Sequence, residues 1–383
     1  MCGITGFYSA KGRNNIALAK MVQSLAHRGP DTQECKIFSQ GENTVAGLAT
    51  ARLSIIGMEE GGQPVSDSTG RWWVSLNGEI YNHQTLRREA IGNEAIPTND
   101  SDTAIIAALL SFLPIERVLD RLRGMFGLAI YDKETHRIWL YRDRLGVKPL
   151  YWMRDTDGTL FWSSELRALK ELHSHQVNAL AVQHLLCFEY IPAPLTIWEG
   201  VQKLQPSMVL SQQGTEHTLE QYWQFPIQNP DSGGSIIHWQ KSLRMALESA
   251  TQLRLHADVP VGTMLSGGID SATITYLASL KQPNLHSFSV IIEEEGFTEE
   301  EAIHQNLKAL PVTPHLYRFQ KSDFLENYEK IKAHLDEPLA DSSLLVTWFL
   351  FAKIQEFGIR CVLSGDGADE VFGGYPTHLA HQF

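Results

Sequence analysis

The stretch Val261-Gly-Thr-Met-Leu-Ser-Gly-Gly-Ile-Asp-Ser271 runs from a short apolar strand, Val261–Leu265, through two glycines into a helix, Ser271–Leu280. Strand-like and helical segments keep alternating around it, which is typical of an α/β doubly wound parallel sheet with ligands at the carboxyl ends of its strands. The other predicted segments are helix Ser242–Leu255, strand Ser287–Ile292, helix Glu299–Leu310, helix Leu344–Phe357 and strand Arg360–Leu363.

The first half of the chain has a different pattern, with short strands joined by polar turns. Phe126–Tyr131 and Arg137–Tyr141 flank a polar turn, as the strands of a hairpin do. Helical periodicity begins at Leu18 and returns from Asp102 to Leu110. Strands and helices in separate runs predict an α+β domain whose helices cover the faces of its sheets.

A change of composition at Pro226–Ser235, with two prolines and two adjacent glycines, indicates an interdomain linker. We therefore expect a first domain at residues 2–212, a linker at 213–237 and a second domain at 238–383.

The composition excludes several classes of protein. The chain has 383 residues, 43% of them hydrophobic and 20% charged, which is ordinary for a soluble globular protein. The net charge of −12 argues against nucleic-acid or anionic-membrane partners. The four cysteines show no paired or metal-binding spacing, and neither a signal peptide nor a membrane-spanning run is evident. We expect a cytoplasmic protein.

Two glycine loops follow predicted strands. In Leu265-Ser266-Gly267-Gly268, successive N–H groups and a helix N-terminus can bind an anion. No lysine follows the glycines, so the loop suits a pyrophosphate leaving group better than transfer of a γ-phosphate. The alternative is a strand–helix turn that binds nothing.

The second loop, Leu363–Glu370, contains carboxylates that could ligate Mg²⁺ beside a nucleotide, or that could simply be solvated. Parallel strands bring their carboxyl ends to one edge, so the two loops are expected to converge on one nucleotide site.

Cys2 combines a thiol with a main-chain nitrogen that becomes a free α-amine if Met1 is removed. Such an amine has a pKa of ~7.7–8.0 and can act as the base that activates the thiol. The small residues Cys2 and Gly3 permit removal of Met1. The alternative is an ordinary N-terminal cysteine, because position alone does not make a thiol reactive.

The chain resembles glutamine-dependent asparagine synthetases and their amidotransferase relatives. The matching segments run in family order almost from end to end. In the first half they are Cys2–Ile4, His27–Asp31, Arg52–Ile56, Asn77–Asn82, Ser101–Thr103, Arg142–Gly146 and Pro149–Tyr151, and in the second half Leu265–Ser271, Asp336–Pro338, Asp341–Ser343 and Leu363–Tyr375.

For the first domain, the resemblance implies an N-terminal-nucleophile amidotransferase with an αββα sandwich. Cys2 attacks the side-chain amide of glutamine, and Asn77 and Gly78 supply the oxyanion donors. Arg52 binds the glutamine α-carboxylate and Asp102 its α-ammonium. The other pocket residues implied are Leu53, Ser54, Ile55, Ile56 and Glu79.

Other readings of these residues stay open. Arg52 could be a lone surface arginine, and Asp102 a helix N-cap or first-turn acid. We expect His27 to order its loop and assign it no catalytic role.

For the second domain, the resemblance implies an ATP pyrophosphatase fold that adenylates aspartate, after which ammonia displaces AMP. Asp270 and Asp369 are the implied Mg²⁺ ligands. Asp366, where well-studied members often have glutamate, is implied to lie near the acyl-adenylate and assist proton transfer. The residues implied around ATP are Leu265 and Val290 at the adenosine, Ser266, Gly267, Gly268 and Ser271 at the phosphates, and Ser364 and Gly365 at the ribose or phosphates.

Relatives continue beyond Tyr375 with a further helical subdomain, so we expect the second domain to be C-terminally incomplete. Three hypotheses follow: a glutamine-hydrolysing asparagine synthase, a glutaminase with a relic second domain, or a non-catalytic binding subunit. The substrates implied are glutamine, ATP and aspartate or a related carboxylate. A second polypeptide could supply the missing C-terminal part, and, as a separate possibility, the protein could form a homodimer. The segment Asp336-Glu337-Pro338 could bind an amino group or cap the following helix.

Overall fold

The computed structural model describes residues 2–12, 17–40, 43–57, 62–172, 175–226, 234–292 and 298–380. The chain forms two compact units. Unit 1 comprises Met1–Ile227 together with Leu335–Asp341, and unit 2 comprises Gln228–His334 and Ser342–Phe383. Residues 227–233 of the predicted linker lie outside the described residues.

In its described residues, unit 1 contains two antiparallel sheets of six strands each, in the orders β10-β8-β9-β1-β3-β2 and β12-β11-β7-β6-β5-β4. Its elements are β1 Gly3–Tyr8, α1 Leu18–Gln23, β2 Thr32–Gln40, β3 Asn43–Arg52, β4 Val65–Ser66, β5 Trp72–Ile80, α2 His83–Gly92, α3 Asp102–Leu110, α4 Ile115–Arg121, β6 Gly124–Asp132, β7 Arg137–Arg142, β8 Tyr151–Arg154, β9 Leu160–Ser163, α5 Leu166–Lys170, α6 Ala179–Phe188, β10 Val201–Lys203, β11 Met208–Gln213 and β12 Glu216–Gln221. Strand β11 crosses residue 212, and β12 lies within the segment predicted as linker.

Three apolar clusters divide unit 1 into four layers. Side chains of both sheets, such as Ile4 on β1 and Leu140 on β7, form the cluster between the sheets. Helix α1 packs on the outer face of the first sheet, and α3 packs on the outer face of the second. Every residue of α3 is buried because the helix also contacts α2 and α4. This αββα arrangement confirms the fold predicted for the first half.

Unit 2 is built on a four-stranded parallel sheet in the order β15-β14-β13-β16. Helix α8 covers one face through Ile274 and Ala278, and α11 covers the other through Leu350 and Ile354. The elements are α7 Ile236–Arg254, β13 Val261–Met264, α8 Ile269–Ser279, β14 His286–Ile292, α9 Glu300–Ala309, β15 Thr313–Phe319, α10 Lys321–His334, α11 Ser343–Phe357, β16 Cys361–Leu363, α12 Ala368–Phe372 and α13 Pro376–Ala380. The doubly wound parallel sheet is therefore confirmed.

Four elements of unit 2 were not predicted: strand β15 and helices α10, α12 and α13. Among the described strands, β15 pairs with β14 alone, and its edge position lets it carry polar residues such as His315 and Arg318. Helix α10 buries only Ile331, so its apolar periodicity is weak. Among the described residues, no helix is both long and apolar enough to cross a membrane.

Candidate active sites

Cys2 lies directly before β1, which pairs with β9 and β3 in the middle of its sheet. Two hydrogen bonds fix the start of the strand. Ile4 donates its N–H to Ser164 Oγ at 3.0 Å, and Ser164 donates its backbone N–H to the Ile4 carbonyl oxygen at 2.9 Å. The Cys2 side chain is buried, with Sγ 3.7 Å from the carbonyl oxygen of Leu53. Burial raises the pKa of this thiol, although the contact with Leu53 opposes the shift. A base is therefore needed to form the thiolate at neutral pH.

A small cavity opens beside Cys2, with cationic and anionic groups in its wall. It brings together eight of the predicted residues: Cys2, Arg52, Leu53, Ile55, Ile56, Gly78, Glu79 and Asp102. Two predicted residues, Ser54 and Asn77, are not among its lining residues. The backbone N–H of Ser54 instead bonds to Asp31 at 2.8 Å, which fixes the loop that carries Leu53 and Ile55.

Arg52, at the end of β3, is not a lone surface arginine. Its side chain is buried, and Nη2 donates to the carbonyl oxygens of Ile56 at 3.0 Å and Gly57 at 2.8 Å. These two bonds fix the plane of the guanidinium group in the cavity wall. A fixed planar fork suits bidentate binding of a carboxylate.

Asp102 begins helix α3, but the N-cap of this helix is Ser101, which accepts from the N–H of Ala104 at 3.1 Å. Asp102 is thus a first-turn acid that also lines the cavity. Its Oδ2 accepts from the N–H of Ile80 at 2.9 Å. Burial raises the pKa of its carboxyl group, and the bond from Ile80 acts in the opposite direction. A cationic ligand in the cavity would compensate this buried charge.

Asn77 and Gly78 lie on β5 opposite Gly127 and Phe126 of β6. Asn77 is fully buried, and within the part of the chain that the structure describes neither its Oδ1 nor its Nδ2 has a hydrogen-bond partner. Such an orphaned amide is costly unless a ligand completes it. Gly78 permits the close strand contact here, since a Cβ atom at this position would lie 2.0 Å from the Met125 carbonyl oxygen.

An ion-pair network lies behind Cys2. Glu165 bonds to His27 Nε2 at 3.0 Å and to Arg28 Nη1 at 2.7 Å, and Arg28 Nε donates to the Cys2 carbonyl oxygen at 3.0 Å. Burial by itself would raise the pKa of Glu165, but the His27 and Arg28 contacts lower it to about 2. His27 therefore bonds to an anionic side chain beside its own loop, as the ordering role predicted for it requires.

Unit 2 has a larger pocket at the carboxyl ends of β13 and β16. Seven predicted residues line it: Leu265, Ser266, Ser271, Val290, Ser364, Gly365 and Asp366. Four others, Gly267, Gly268, Asp270 and Asp369, are not among the lining residues. The two glycine loops converge, because a Cβ atom on Gly365 would lie 2.7 Å from the backbone nitrogen of Ser271.

The first glycine loop already holds an anionic group. Gly267 donates its N–H to the carboxylate of Glu299 at 2.8 Å, and Glu299 also lines the pocket. Ser271 Oγ accepts from the N–H of Ser266 at 3.1 Å, which closes the loop onto the start of α8. The carboxylate of Glu299 occupies a position suited to a phosphate oxygen.

The carboxylates predicted as metal ligands lie around the same loops. Asp270 is in the first turn of α8, where its Cβ would be 3.1 Å from a Cβ on Gly365, and Asp369 is in the first turn of α12. Asp366 accepts from Ser364 Oγ at 2.8 Å. In the described ranges, no group of three or more His, Cys, Asp or Glu residues is arranged as a metal site. Mg²⁺ usually takes one or two carboxylates and completes its shell with phosphates and water, so this arrangement fits an ion bound together with a nucleotide.

Two protein families match this chain, one in its first half and one in its second half. The glutamine amidotransferase domain family matches residues 1–223, and the asparagine synthase family matches residues 242–383. A putative glutamine-hydrolysing asparagine synthetase of Methanocaldococcus jannaschii is 33% identical over 99% of this chain and 76% of its own length.

The chain belongs to the glutamine-hydrolysing asparagine synthetase family. Asparagine synthetase 1 of Bacillus subtilis is 32% identical over 98% of this chain, and asparagine synthetase B of Escherichia coli is 31% identical over 98%. This chain spans 59% and 65% of the lengths of these two relatives.

Four cavity residues of this synthetase-family chain were not predicted: Gln63, Ser101, Met125 and Lys148. Lys148 is buried, and burial together with the charge of Arg28 lowers its pKa to about 8, against the influence of Asp143, Glu79 and Cys2. A sequence signal existed for Lys148, which lies between the family segments Arg142–Gly146 and Pro149–Tyr151.

The acidic segment Asp336-Glu337-Pro338, after α10, makes contacts that neither of the two predictions for it describes. Asp336 accepts from the N–H of Leu166 at 2.5 Å and from Arg167 Nε at 3.0 Å. Glu337 accepts from the N–H of Ile197 at 2.8 Å and pairs with Lys203 Nζ at 2.6 Å. The two carboxylates bind backbone and side chains of unit 1, and neither one caps helix α11.

Proposed function

We propose that this protein is a glutamine-dependent amidotransferase of the asparagine synthase type. The observation that supports it best is the charge arrangement in the unit 1 cavity, where Cys2 lies with a buried guanidinium, Arg52, and a buried carboxylate, Asp102. An amino acid has an α-carboxylate and an α-ammonium, which these two groups complement. A glutamine bound through both ends would present its side chain to the thiol.

The proposed first reaction is attack of the Cys2 thiolate on the amide carbon of glutamine. Negative charge then develops on the amide oxygen, and the Nδ2 of Asn77 and the N–H of Gly78 are its proposed donors. The orphaned amide of Asn77 supports this role. Leu53, Ser54, Ile55, Ile56 and Glu79 complete the proposed glutamine pocket. Ammonia leaves, and water hydrolyses the thioester to glutamate and restores the thiol.

The proposed base is the α-amine of Cys2 after removal of Met1. The raised pKa of the thiol makes a base necessary, and an α-amine with a pKa of ~7.7–8.0 accepts its proton near neutral pH. The same proton is then available to the departing ammonia. Intact-mass measurement tests this directly, because a retained Met1 or an acetylated Cys2 would contradict it.

We propose that unit 2 binds ATP in the pocket between its two glycine loops and activates aspartate or a related carboxylate. Bound Mg²⁺ would offset charge on the pyrophosphate. Asp270 and Asp369 are its proposed ligands, and Asp366 is proposed to lie at the acyl-adenylate. The carboxylate of Glu299 on the Gly267 N–H supports an anion-binding role for the first loop. The proposed ATP residues are Leu265, Ser266, Gly267, Gly268, Asp270, Ser271, Val290, Ser364 and Gly365.

Ammonia from the first reaction would displace AMP from the activated carboxylate, giving asparagine when the acceptor is aspartate. We assign unit 1 to glutamine hydrolysis and unit 2 to nucleotide binding; the predicted boundaries, residues 2–212 and 238–383, fall inside β11 and α7. A second polypeptide and a homodimer both remain predictions.

The experiment compares the wild type with Cys2→Ala and with Cys35→Ala, which changes an exposed cysteine of the same unit. Glutamate is measured from glutamine, and AMP is measured with aspartate and ATP, using either glutamine or ammonium as the nitrogen source. We expect Cys2→Ala to lower glutamate formation by on the order of 10⁴-fold or more while ammonium-dependent AMP formation persists. Cys35→Ala should match the wild type.

Each alternative gives a different result. Glutamate without AMP in the wild type would indicate a glutaminase, and the absence of both products would indicate a non-catalytic subunit. Equal loss of the glutamine-dependent and ammonium-dependent reactions in Cys2→Ala would contradict two separate sites.

A further inference from the structure

The segment Leu335–Asp341 belongs to unit 1, although helices of unit 2 precede and follow it in the sequence. Its first anchor is Asp336, which is largely buried, with 14% of its side chain exposed. Asp336 accepts from the N–H of Leu166 through Oδ2 and from Arg167 Nε through Oδ1. One carboxylate therefore fixes both the backbone and a side chain at the start of α5.

Glu337 anchors the same segment at a second place in unit 1. Its side chain is 12% exposed and bonds to the N–H of Ile197 and to Lys203 Nζ. A third bond runs from the N–H of Ala340 to the Glu189 carbonyl oxygen at 2.9 Å. Because three of its residues bond to other parts of unit 1, the segment is an integral part of the unit proposed to hydrolyse glutamine.

From Asp336, a continuous series of polar contacts leads to the nucleophile. Arg167 Nε, which bonds to Asp336, also lies 2.7 Å from Glu165 Oε2. Glu165 holds Arg28 through Nη1 at 2.7 Å, and Arg28 Nε donates to the main-chain carbonyl of Cys2. All five groups in this series are buried or nearly so, with at most 24% of any of the four side chains beyond Cys2 exposed. Ion pairs with little solvent around them hold their geometry better than exposed pairs do.

We propose that Asp336 is a positioning residue for glutamine hydrolysis, which holds Arg167 and Glu165 in place and so keeps Arg28 on the carbonyl of Cys2. The inference rests on the proposed glutaminase function. The position of the Cys2 sulfur is set by the main chain and one short side chain, so displacement of the Cys2 carbonyl moves the thiol as well. The glutaminase site then depends on a segment that the linear sequence places between α10 and α11.

Electrostatics distinguishes positioning from simple stabilisation. Burial raises the pKa of Asp336, and the nearby charge of Glu165 raises it further, against the effect of Arg167. Ionisation of Asp336 in the folded protein therefore has a free-energy cost. Replacing Asp336 with asparagine removes this charge and one of the two acceptor oxygens, so a purely structural role predicts a lower melting temperature with an unchanged rate of Cys2 alkylation.

The test is Asp336→Asn in the full chain, with kcat and KM for glutamine, the rate of Cys2 alkylation by iodoacetamide and the melting temperature as readouts. We expect kcat to fall between about 10- and 100-fold, as for a small displacement of a reacting group, with a much smaller change in KM. The alkylation rate and its pH profile should change as well.

Asp132→Asn is the matched control, because Asp132 is also buried and pairs with Arg71 at 2.7 Å. It lies at the end of β6 opposite Trp72, whereas the cavity residue Gly78 lies opposite Phe126 near the other end. We expect this control to lose stability while its kcat and alkylation rate stay unchanged.

Arg167→Gln breaks the same series without removing the acceptor of the Leu166 N–H, and it should reproduce the loss of kcat. Unchanged kcat and alkylation in both variants would overturn the proposal. Unfolding of both variants at the assay temperature would overturn it in favour of a structural role. A wild type without glutaminase activity would refute the proposed function instead, and the alkylation rate would then still report whether Asp336 positions Cys2.

Discussion

Asp102 Oδ2 accepts a hydrogen bond from the backbone N–H of Ile80 at 2.9 Å. This bond joins the first turn of α3 to the end of β5, the strand that carries Asn77 and Gly78. The proposed ammonium-binding carboxylate and the proposed oxyanion donors therefore share one rigid connection. Their spacing is set by secondary structure rather than by a loop, as a site that must hold both ends of glutamine requires.

Asp102→Asn should weaken glutamine binding, because it removes the buried charge proposed to pair with the α-ammonium while keeping the shape of the side chain. We expect KM for glutamine to rise about 30-fold or more, the equivalent of ~2 kcal/mol for loss of a buried charge partner. Steady-state glutaminase kinetics measure this effect. Asp100→Asn is the control, since Asp100 pairs with Arg87 and its side chain is 67% exposed. An unchanged KM in Asp102→Asn would contradict the assigned role.

Lys148 should make stability depend on pH at the alkaline end. Its folded pKa of about 8 lies below the ordinary value of 10.5, so between these values the unfolded chain binds more protons than the folded one. The free energy of unfolding should therefore rise with pH in this window, by up to ~1.4 kcal/mol per pH unit for one proton. Lys148→Met removes this contribution.

Urea unfolding of wild type and Lys148→Met between pH 8 and 10.5 measures the difference in slope. Lys133→Met, a change at an exposed lysine, is the control. Parallel pH profiles for wild type and Lys148→Met would show that Lys148 keeps its ordinary pKa in the folded protein.

Asp270→Asn should lower the affinity for Mg-ATP without affecting glutamine hydrolysis, since the residue lies beside the second glycine loop of unit 2. We expect a decrease of about tenfold or more, the equivalent of ~1.4 kcal/mol. Isothermal titration calorimetry with Mg-ATP measures it, and Asp258→Asn, at an exposed position before β13, is the control. If Asp270→Asn binds Mg-ATP as the wild type does, the metal assignment is refuted.

Glu299→Gln should strengthen the binding of inorganic pyrophosphate. The Glu299 carboxylate accepts the hydrogen bond of the Gly267 N–H and repels a second anion, and glutamine removes this charge. We expect a gain of several-fold, ~1 kcal/mol for one charge repulsion in a partly exposed site. Calorimetric titration with pyrophosphate provides the measurement, with Glu301→Gln, an exposed change in helix α9, which Glu299 directly precedes, as control. Weaker binding in Glu299→Gln would show that this carboxylate contributes to the site, for example through a cation.

Much of the fold follows from local pattern. The hairpin of β6 and β7 was predictable because its strands are neighbours in the chain, and the two glycine loops because parallel strands align their carboxyl ends. Helix α10 and strand β15 were missed because partly exposed elements have no sharp apolar period. Gln63 was missed for another reason: its loop position relative to β5 depends on tertiary pairing, seen in the 2.9 Å bond from the Leu76 N–H to Gln63 Oε1.

The amino-acid sequence by itself determined the elements with a clear apolar period and the residue types that carry the chemistry, since helix periods, strand alternation, glycine turns and the position of Cys2 are properties of neighbouring residues. Only the tertiary structure decided which distant side chains meet. Asp336 reaches Leu166 across 170 residues, and no local preference encodes such a contact. It depends on strand register and on how the chain returns to unit 1, and both are fixed by packing of the whole unit.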